Sequence, residues 1–412
     1  MPSLSIDRLQ PGIFVSLSSL GWMNHPFVLN QFRLANASQI QVLRQMGLKS
    51  VEWDPARSTT EPLPEKAAAE AEEDFAAAAL AGMLDEKQHR IQRVRQQRER
   101  LARREREYEQ EALAAADVMK ALSGQPAEAH AKAKALANRI VDGLVGSESV
   151  VVHLVNQKGS DKGVVFHSLN VMVLALLLGK AMELSAEDLK LVGVGALLHD
   201  AGKVEIPTRI LRAGKRTGPE EEFYRAHVGY GIKVTAGIKD LPVAVKNIIA
   251  CHHERWDGSG FPNHLAGEKI PRLSRLVAIA NRYDNLCNPF DIKLAKTPAE
   301  TMQHLFKKEG AHFEPELLQR FVKAMGVYPP GTFVSLSNGA TGLVVESNPA
   351  NLLRPLVMVY DPEIPRHEAL LLNLEDADLA VDAAVSPATL PLEAVEYLAP
   401  RGRIDYYVEG AS

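Results

Sequence analysis

Two stretches decide how this chain is read: Leu191-Val-Gly-Val-Gly-Ala-Leu-Leu-His199-Asp200, and Val245-Lys-Asn-Ile-Ile-Ala-Cys-His252-His253-Glu254. In the first, an apolar run ends in an imidazole and a carboxylate, a charged pair at the end of a buried helix. Burying an aspartate costs several kcal/mol unless it is paired or holds a metal. In the second, Val245, Ile248, Ile249 and His252 recur at i, i+3, i+4 and i+7, one face of a helix, so two adjacent imidazoles stand at the inner edge of a core. His167 and His227 occupy comparable places, which makes five of the chain's 13 histidines. Any one alone reads as an ordinary hydrogen-bonded residue; together with Asp200 they read as ligands.

The donor chemistry narrows the metal. Five imidazoles and a carboxylate exceed what one tetrahedral zinc takes, and with only Cys251 and Cys287 thiolates are scarce, so two or more six-coordinate ions such as iron or manganese fit better. Ions about 3.5–4 Å apart can share a carboxylate and a bridging hydroxide and clamp a phosphoryl oxygen, which suits phosphoester hydrolysis.

Outward from these stretches, about 148 to 325 reads as a succession of amphipathic helices, roughly 167–183, 186–199, 219–236, 242–254, 272–287, 298–308 and 314–325. Ser185 before Asp188, Thr297-Pro298 and Glu314-Pro315 mark helix starts. Residues 1–62 carry short alternating segments and read as a small β-containing accessory domain. Residues 63–147 are rich in Ala, Glu, Gln and Arg, with neither glycine nor proline between Leu84 and Leu122, and predict a long exposed helical connector. Leu84, Ile91, Val94, Leu101 and Tyr108 make a heptad seam that could pair two copies as a coiled coil. From 328 to 412 the chain returns to short apolar runs, a second strand-rich module.

Composition excludes other classes. The 412 residues hold 47 basic against 51 acidic side chains, a net charge of −4, and are 46% hydrophobic, as in a globular chain of two or three domains. Nothing global favours nucleic acid, and the Arg90–Arg106 stretch interleaves acids and lacks stacking aromatics apart from Tyr108. The longest apolar run, Val171 to Leu178, falls short of the roughly 18 residues of a bilayer span, so no membrane helix is expected. Without a secretory start or a disulfide framework the chain reads as cytoplasmic.

His199-Asp200-Ala-Gly-Lys203, His227, and His252-His253-Glu-Arg-Trp-Asp257-Gly258-Ser-Gly260-Phe261-Pro262 resemble, in order and approximate spacing, the signature of the HD-GYP phosphodiesterases within the HD metallohydrolase superfamily. Residues 4–60 look like the uncharacterised domain that often precedes them. The resemblance implies a mainly α fold: an all-helical HD-type core over 148–327, strand-rich modules at both ends and the helical connector. It implies hydrolysis of cyclic di-GMP to pGpG or GMP on two divalent ions, iron or manganese. His167, His199, Asp200, His227, His252, His253 and Asn281 would hold the metals, with Asp200 bridging. Lys203 would assist at the scissile phosphate or departing oxygen, and Gly258, Gly260, Phe261, Pro262 and Lys293 would meet the substrate. A metal-containing receptor signalling through the connector to a protein partner, and a phosphohydrolase for another nucleotide, stand as the alternatives.

The pattern has departures. Phe261 replaces the family's tyrosine and keeps only the ring. Asn281 stands where the family offers aspartate, with Asp284 one turn later able to substitute or to support a ligand. The family's arginine near Phe290 is missing. Gly163 stands where a glutamate supports a third metal in some members, so two ions are expected rather than three.

Overall fold

The short segments at the amino end become strands β1 (Ser3–Ser5), β2 (Phe14–Ser16), β3 (Gln31–Arg33) and β4 (Ser50–Trp53), with helix α1 (Ala37–Gln45) between the last two. The stretch without helix breakers forms α2 (Asp74–Leu122), and Pro126 opens α3 (Pro126–Leu144) at its first turn. Strand β5 (Val150–Val155) follows. Then come α4 (Gly163–Ala181), α5 (Ala186–Leu198), α6 (Thr208–Leu211), α7 (Gly218–Arg225), α8 (His227–Thr235), α9 (Val243–Cys251), α10 (Arg272–Cys287), α11 (Pro298–Lys308) and α12 (Pro315–Met325). The last part gives β6 (Phe333–Leu336), β7 (Thr341–Glu346), β8 (Leu356–Val359), β9 (Leu370–Asn373), β10 (Val381–Ala384), α13 (Leu392–Leu398) and β11 (Asp405–Gly410). This computed structural model describes residues 1–20, 25–27, 29–64, 74–122, 124–145, 150–155, 163–377, 379–399 and 404–410.

The chain divides into two compact units. One comprises residues 1–101, 333–343 and 356–398. Here β1, β4, β2 and β3 form an antiparallel sheet in that order, over a core that includes Ile13, Val15, Leu17, Phe32 and Leu43. In the same unit β6 pairs with β10 and with the start of β7, and β8 with β9, all antiparallel.

The other comprises residues 102–332, 344–355 and 399–412. Its centre is α4, whose Val165, Leu169, Met172, Val173 and Leu176 bury around the whole circumference. The expectation of no membrane-length helix needs correction: α4 has 19 residues and is apolar enough to qualify. His167, Ser168 and Asn170 interrupt the apolar run in sequence, yet they are buried too, and 78% of the most apolar window lies inside the fold. A helix apolar on every face belongs in a protein core as readily as in lipid. Against α4 pack α5, α10, α12 and β11.

Helix starts follow the signals in the sequence. The Ser185 side chain accepts the Asp188 N–H, and Thr297 and Glu300 form a reciprocal capping box. Two expectations change. The helix expected over 219–236 is two, because Ala226 closes α7 and His227 opens α8. The connector is not exposed throughout: Tyr108, Ala115, Val118 and Leu122 of α2 are buried in the same core as Ala129, Ala133 and Leu136 of α3. Tyr108 is thus used within the chain, stacked 6.4 Å from Phe166, rather than in a seam between copies. The side chains of Leu84, Ile91 and Val94 lie outside the described residues.

One close approach sets the site. Gly202, in the 3-10 turn Ala201–Glu205, touches α8 so closely that a Cβ there would overlap the His227 carbonyl oxygen and the Gly231 nitrogen. Gly229, on the exposed side of α8, has nothing within 4 Å of a built Cβ. Gly202→Ala should therefore lower the unfolding free energy by about 1–3 kcal/mol, while Gly229→Ala should raise it by roughly 0.5–1 kcal/mol. Urea unfolding of both variants checks the pair; equal effects would show that the two helical segments are not held backbone to backbone.

Candidate metal centre

The helix ends described above deliver the imidazoles. His199 is the C-cap of α5, His227 the first residue of α8, and His252 the C-cap of α9. Each ring is aimed by the same local device. Nδ1 of His199 lies 2.6 Å from the Ala196 carbonyl, Nδ1 of His227 lies 2.6 Å from that of Tyr224, and Nδ1 of His252 lies 3.0 Å from that of Ile249. A carbonyl only accepts, so each Nδ1 carries a proton and Nε2 is the nitrogen turned into the site. His167, within α4, donates its Nδ1–H to Asp284 Oδ2 at 2.6 Å instead, again leaving Nε2 free.

These Nε2 atoms converge on Asp200. Its Oδ2 stands 3.2 Å from His199 and 3.4 Å from His167; its Oδ1 stands 3.4 Å from His227 and 3.7 Å from His252. Two donor groups result, His167–His199–Asp200 and Asp200–His227–His252–His253, and within each the ligating atoms lie within 4.8 Å of one another. The two groups share Asp200, one carboxylate oxygen turned to each. Nε2 of His167, His199 and His253 and Asp200 Oδ1 are buried without a hydrogen-bond partner, while Asp200 Oδ2 faces the Lys203 ammonium. Buried polar atoms are nearly always satisfied, so lone pairs left facing one another fit a multi-metal site.

Lys203 places its ammonium 2.5 Å from Asp200 Oδ2 and 5.5 Å from the centre of the Tyr224 ring. Asn281 is buried on α10, where its Oδ1 accepts from Asn285 at 2.6 Å. The loop after His253 packs back on itself: a Cβ at Gly260 would overlap backbone of His253, Glu254 and Arg255, and Gly258 takes φ +78°. Phe261 stacks on His253 with ring centres 4.4 Å apart, and the Arg225 guanidinium stands 5.0 Å over its ring. Pro262 is exposed beside it. Lys293 is exposed, its backbone N–H bonded to Asp291, and no contact ties it to the cluster among the described residues.

Sequence reading passed over Glu254, which is buried and accepts the Asn263 and Leu265 N–H groups at 2.7 and 3.0 Å, so it holds this loop in place. The signal was there, an acid closing an apolar helix directly after two histidines. Tyr224 was passed over as well; besides orienting His227 it lies under Arg216, 3.9 Å from its ring centre.

Burial pushes His199 down to about 4 and His227 down to about 3, and drives His253 well below the ordinary histidine range, so all three stay neutral. Burial alone would lower His167 too, but the carboxylates of Asp200 and Asp284 on either side of the ring raise it. Asp200, despite a burial that opposes charge, is held well below the carboxylate range by His199, Lys203 and His167. Lys203 is raised in turn by Asp200 and Tyr224 against its own burial. The consequence for stability has a definite sign. Between pH 6.5 and about 4 the unfolded chain binds protons on these three imidazoles that the fold excludes, so stability falls as pH falls. His167 works the other way, its share being complete below its unfolded value of 6.5 and lost above its raised one. Three depressed rings outweigh one raised ring. The melting temperature of metal-free protein should drop from pH 6.5 towards 4, less steeply in His227→Gln; calorimetry giving identical slopes would contradict the assignment.

The cluster falls within a stretch of the chain that resembles known proteins. An HD-domain family model matches residues 148–317, the stretch containing the whole cluster, and a domain of unknown function, DUF3391, matches 3–133. Cyclic di-GMP phosphodiesterase PA4108 of Pseudomonas aeruginosa is 30% identical over 359 residues, 87% of this chain and 84% of that protein. The 3'3'-cGAMP-specific phosphodiesterase 2 of Vibrio cholerae is 41% identical over 124 residues, 30% of this chain and 24% of its own. The cyclic di-GMP phosphodiesterase response regulator RpfG of Xanthomonas campestris is 34% identical over 149 residues, 36% of this chain and 39% of its own. Matched to one such protein over most of both lengths, with the cluster inside the HD-domain stretch, the chain belongs to the HD-domain family.

Proposed function

We propose that this chain is a cyclic di-GMP phosphodiesterase that works with two divalent ions, iron or manganese, and releases linear pGpG or GMP. One observation carries the reading: the Asp200 carboxylate lies between two sets of imidazoles, with one oxygen turned to each. In this reading His167, His199 and Asp200 would hold one ion, and Asp200, His227, His252 and His253 would hold the other. Asn281 adds a carbonyl oxygen without charge. A donor set of nitrogen and oxygen without thiolate suits iron or manganese. When bound, such ions supply Lewis acidity at a phosphoryl oxygen and a water acidic enough to attack phosphorus at neutral pH.

The chain's own groups do the rest. His199, His227 and His253, kept neutral by burial, offer lone pairs without first shedding protons. Lys203, kept charged by Asp200, supplies an N–H donor to the phosphate or to the departing ribose oxygen. Gly258 and Gly260 let the backbone come close to the substrate, Phe261 offers a ring face to a guanine with Pro262 at its edge, and Lys293 meets the second phosphate. Residues 148–327 form the catalytic domain; 1–62, 63–147 and 328–412 serve as accessory domain, connector and strand-rich module. The enzyme acts in the cytoplasm, pairs through the connector and reports to signalling partners. A second reading, hydrolysis of 3'3'-cGAMP, is favoured by the 41% identity to an enzyme named for that substrate.

Anaerobic purification with metal analysis, followed by product identification from both cyclic dinucleotides, tests ions, substrate and turnover together. Asp200→Ala should abolish turnover and release both ions; full metal content with retained activity would overturn the mechanism. Asn281→Asp, by adding charge, should slow metal loss to a chelator by about tenfold, and an unchanged rate would remove Asn281 from the ligand set.

A further inference from the structure

His167 is aimed from a distance, and the chain of contacts behind it leads out of the family domain. Its Nδ1–H goes to Asp284 Oδ2, while Asp284 Oδ1 accepts N–H bonds from Asn170 and Asn288, both at 2.8 Å. Each asparagine is pinned in turn to the backbone at the start of β11. The Ile404 carbonyl accepts from Asn170 Nδ2 at 2.9 Å and from Asn288 Nδ2 at 2.7 Å. The Ile404 N–H donates to Asn288 Oδ1 at 2.8 Å, and the Tyr406 N–H donates to Asn170 Oδ1 at 3.1 Å. Both protons of each amide nitrogen and each amide oxygen are thus engaged. Asp284 and Tyr406 are fully buried, so no solvent competes, and the Tyr406 hydroxyl meets that of Tyr283 at 3.2 Å.

The two asparagine side chains act as hydrogen-bonding mates for the segment 404–406 and present their remaining proton to one carboxylate oxygen. Without that segment each amide loses its backbone partners and is free to turn, and Asp284 loses the bonds that fix which oxygen faces His167. From this we infer that the carboxyl-terminal strand β11, with Asn170 and Asn288, is a positioning element for the metal centre: it holds Asp284, and through it His167, so that ion retention depends on residues 404–406. These residues lie outside the 148–317 stretch of the HD-domain match. The inference rests on the metal reading of the histidine cluster and is independent of the substrate.

The test uses full-length protein freed of metal and then titrated with Mn2+ against a chelator, with thermal unfolding measured alongside. Asn288→Ala should weaken Mn2+ binding by about tenfold or more, the usual effect of removing a group that orients a ligand. Val408→Ala, on the same strand but buried beside Val152 and away from the asparagines, should lower the melting temperature while changing Mn2+ affinity by less than about twofold. Should Asn288→Ala fail to fold, Asn170→Ser, which removes the other amide, carries the same comparison. If the asparagine and valine variants bind Mn2+ alike, β11 is only a packing strand and the inference falls, with the metal centre intact. If the parent protein binds no Mn2+ and no iron, both the inference and the metal reading fall.

Discussion

A single aspartate, buried and ionised, organises this molecule. Taken out of water, the Asp200 carboxylate has to be compensated; the Lys203 ammonium sits on one of its oxygens, and α4, the end of α5, the start of α8 and the end of α9 bring imidazoles around both. Those elements meet only because the core beneath them is tightly packed. Gly195 lies against the Ile248 side chain, and Gly202 lies so close to the α8 backbone that a Cβ would overlap it. The apolar layer of α4, α5 and α9 is the frame on which the charges are hung. Its rigidity lets unsatisfied lone pairs face one another at 3–4 Å instead of collapsing onto solvent.

Electrostatics and packing solve different parts of the problem. Packing aims the rings, and burial keeps most of them neutral, so that they are donors rather than cations. Lys203 is the counterweight. Its ammonium sits on the same carboxylate oxygen that His167 and His199 face, so the first donor group is the one whose charge the protein itself already offsets. The second group, around Asp200 Oδ1, faces imidazoles alone and sits beneath Phe261, which lies flat against His253. The two halves of the centre are therefore chemically unequal.

Much of this was legible in the chain. Val245, Ile248, Ile249 and His252 at helical spacing were enough to place His252 at the edge of a core, and His199-Asp200 after an apolar run was enough to imply a buried charged pair. The mainly α fold and its helix starts followed from caps and prolines. What could not be read depended on partners distant in sequence. The bond from His167 to Asp284 spans 117 residues, and β5 shows no strand-like alternation, only a need for β11 as its mate. Tyr108 shares a seven-residue spacing with residues of a coiled coil, and only the packing of α2 on α3 and α4 shows that it points into its own chain. The membrane-length character of α4 escaped notice because its polar residues are those the site requires.

Three of the four rings that face Asp200 take their direction from a peptide carbonyl only three positions upstream, whereas His167 takes its direction from across the chain. Aim is therefore written locally for His199, His227 and His252 and globally for His167. The rings of His227 and His252 keep their direction wherever their own helix turns are formed, while the direction of His167 depends on Asp284, 117 residues away.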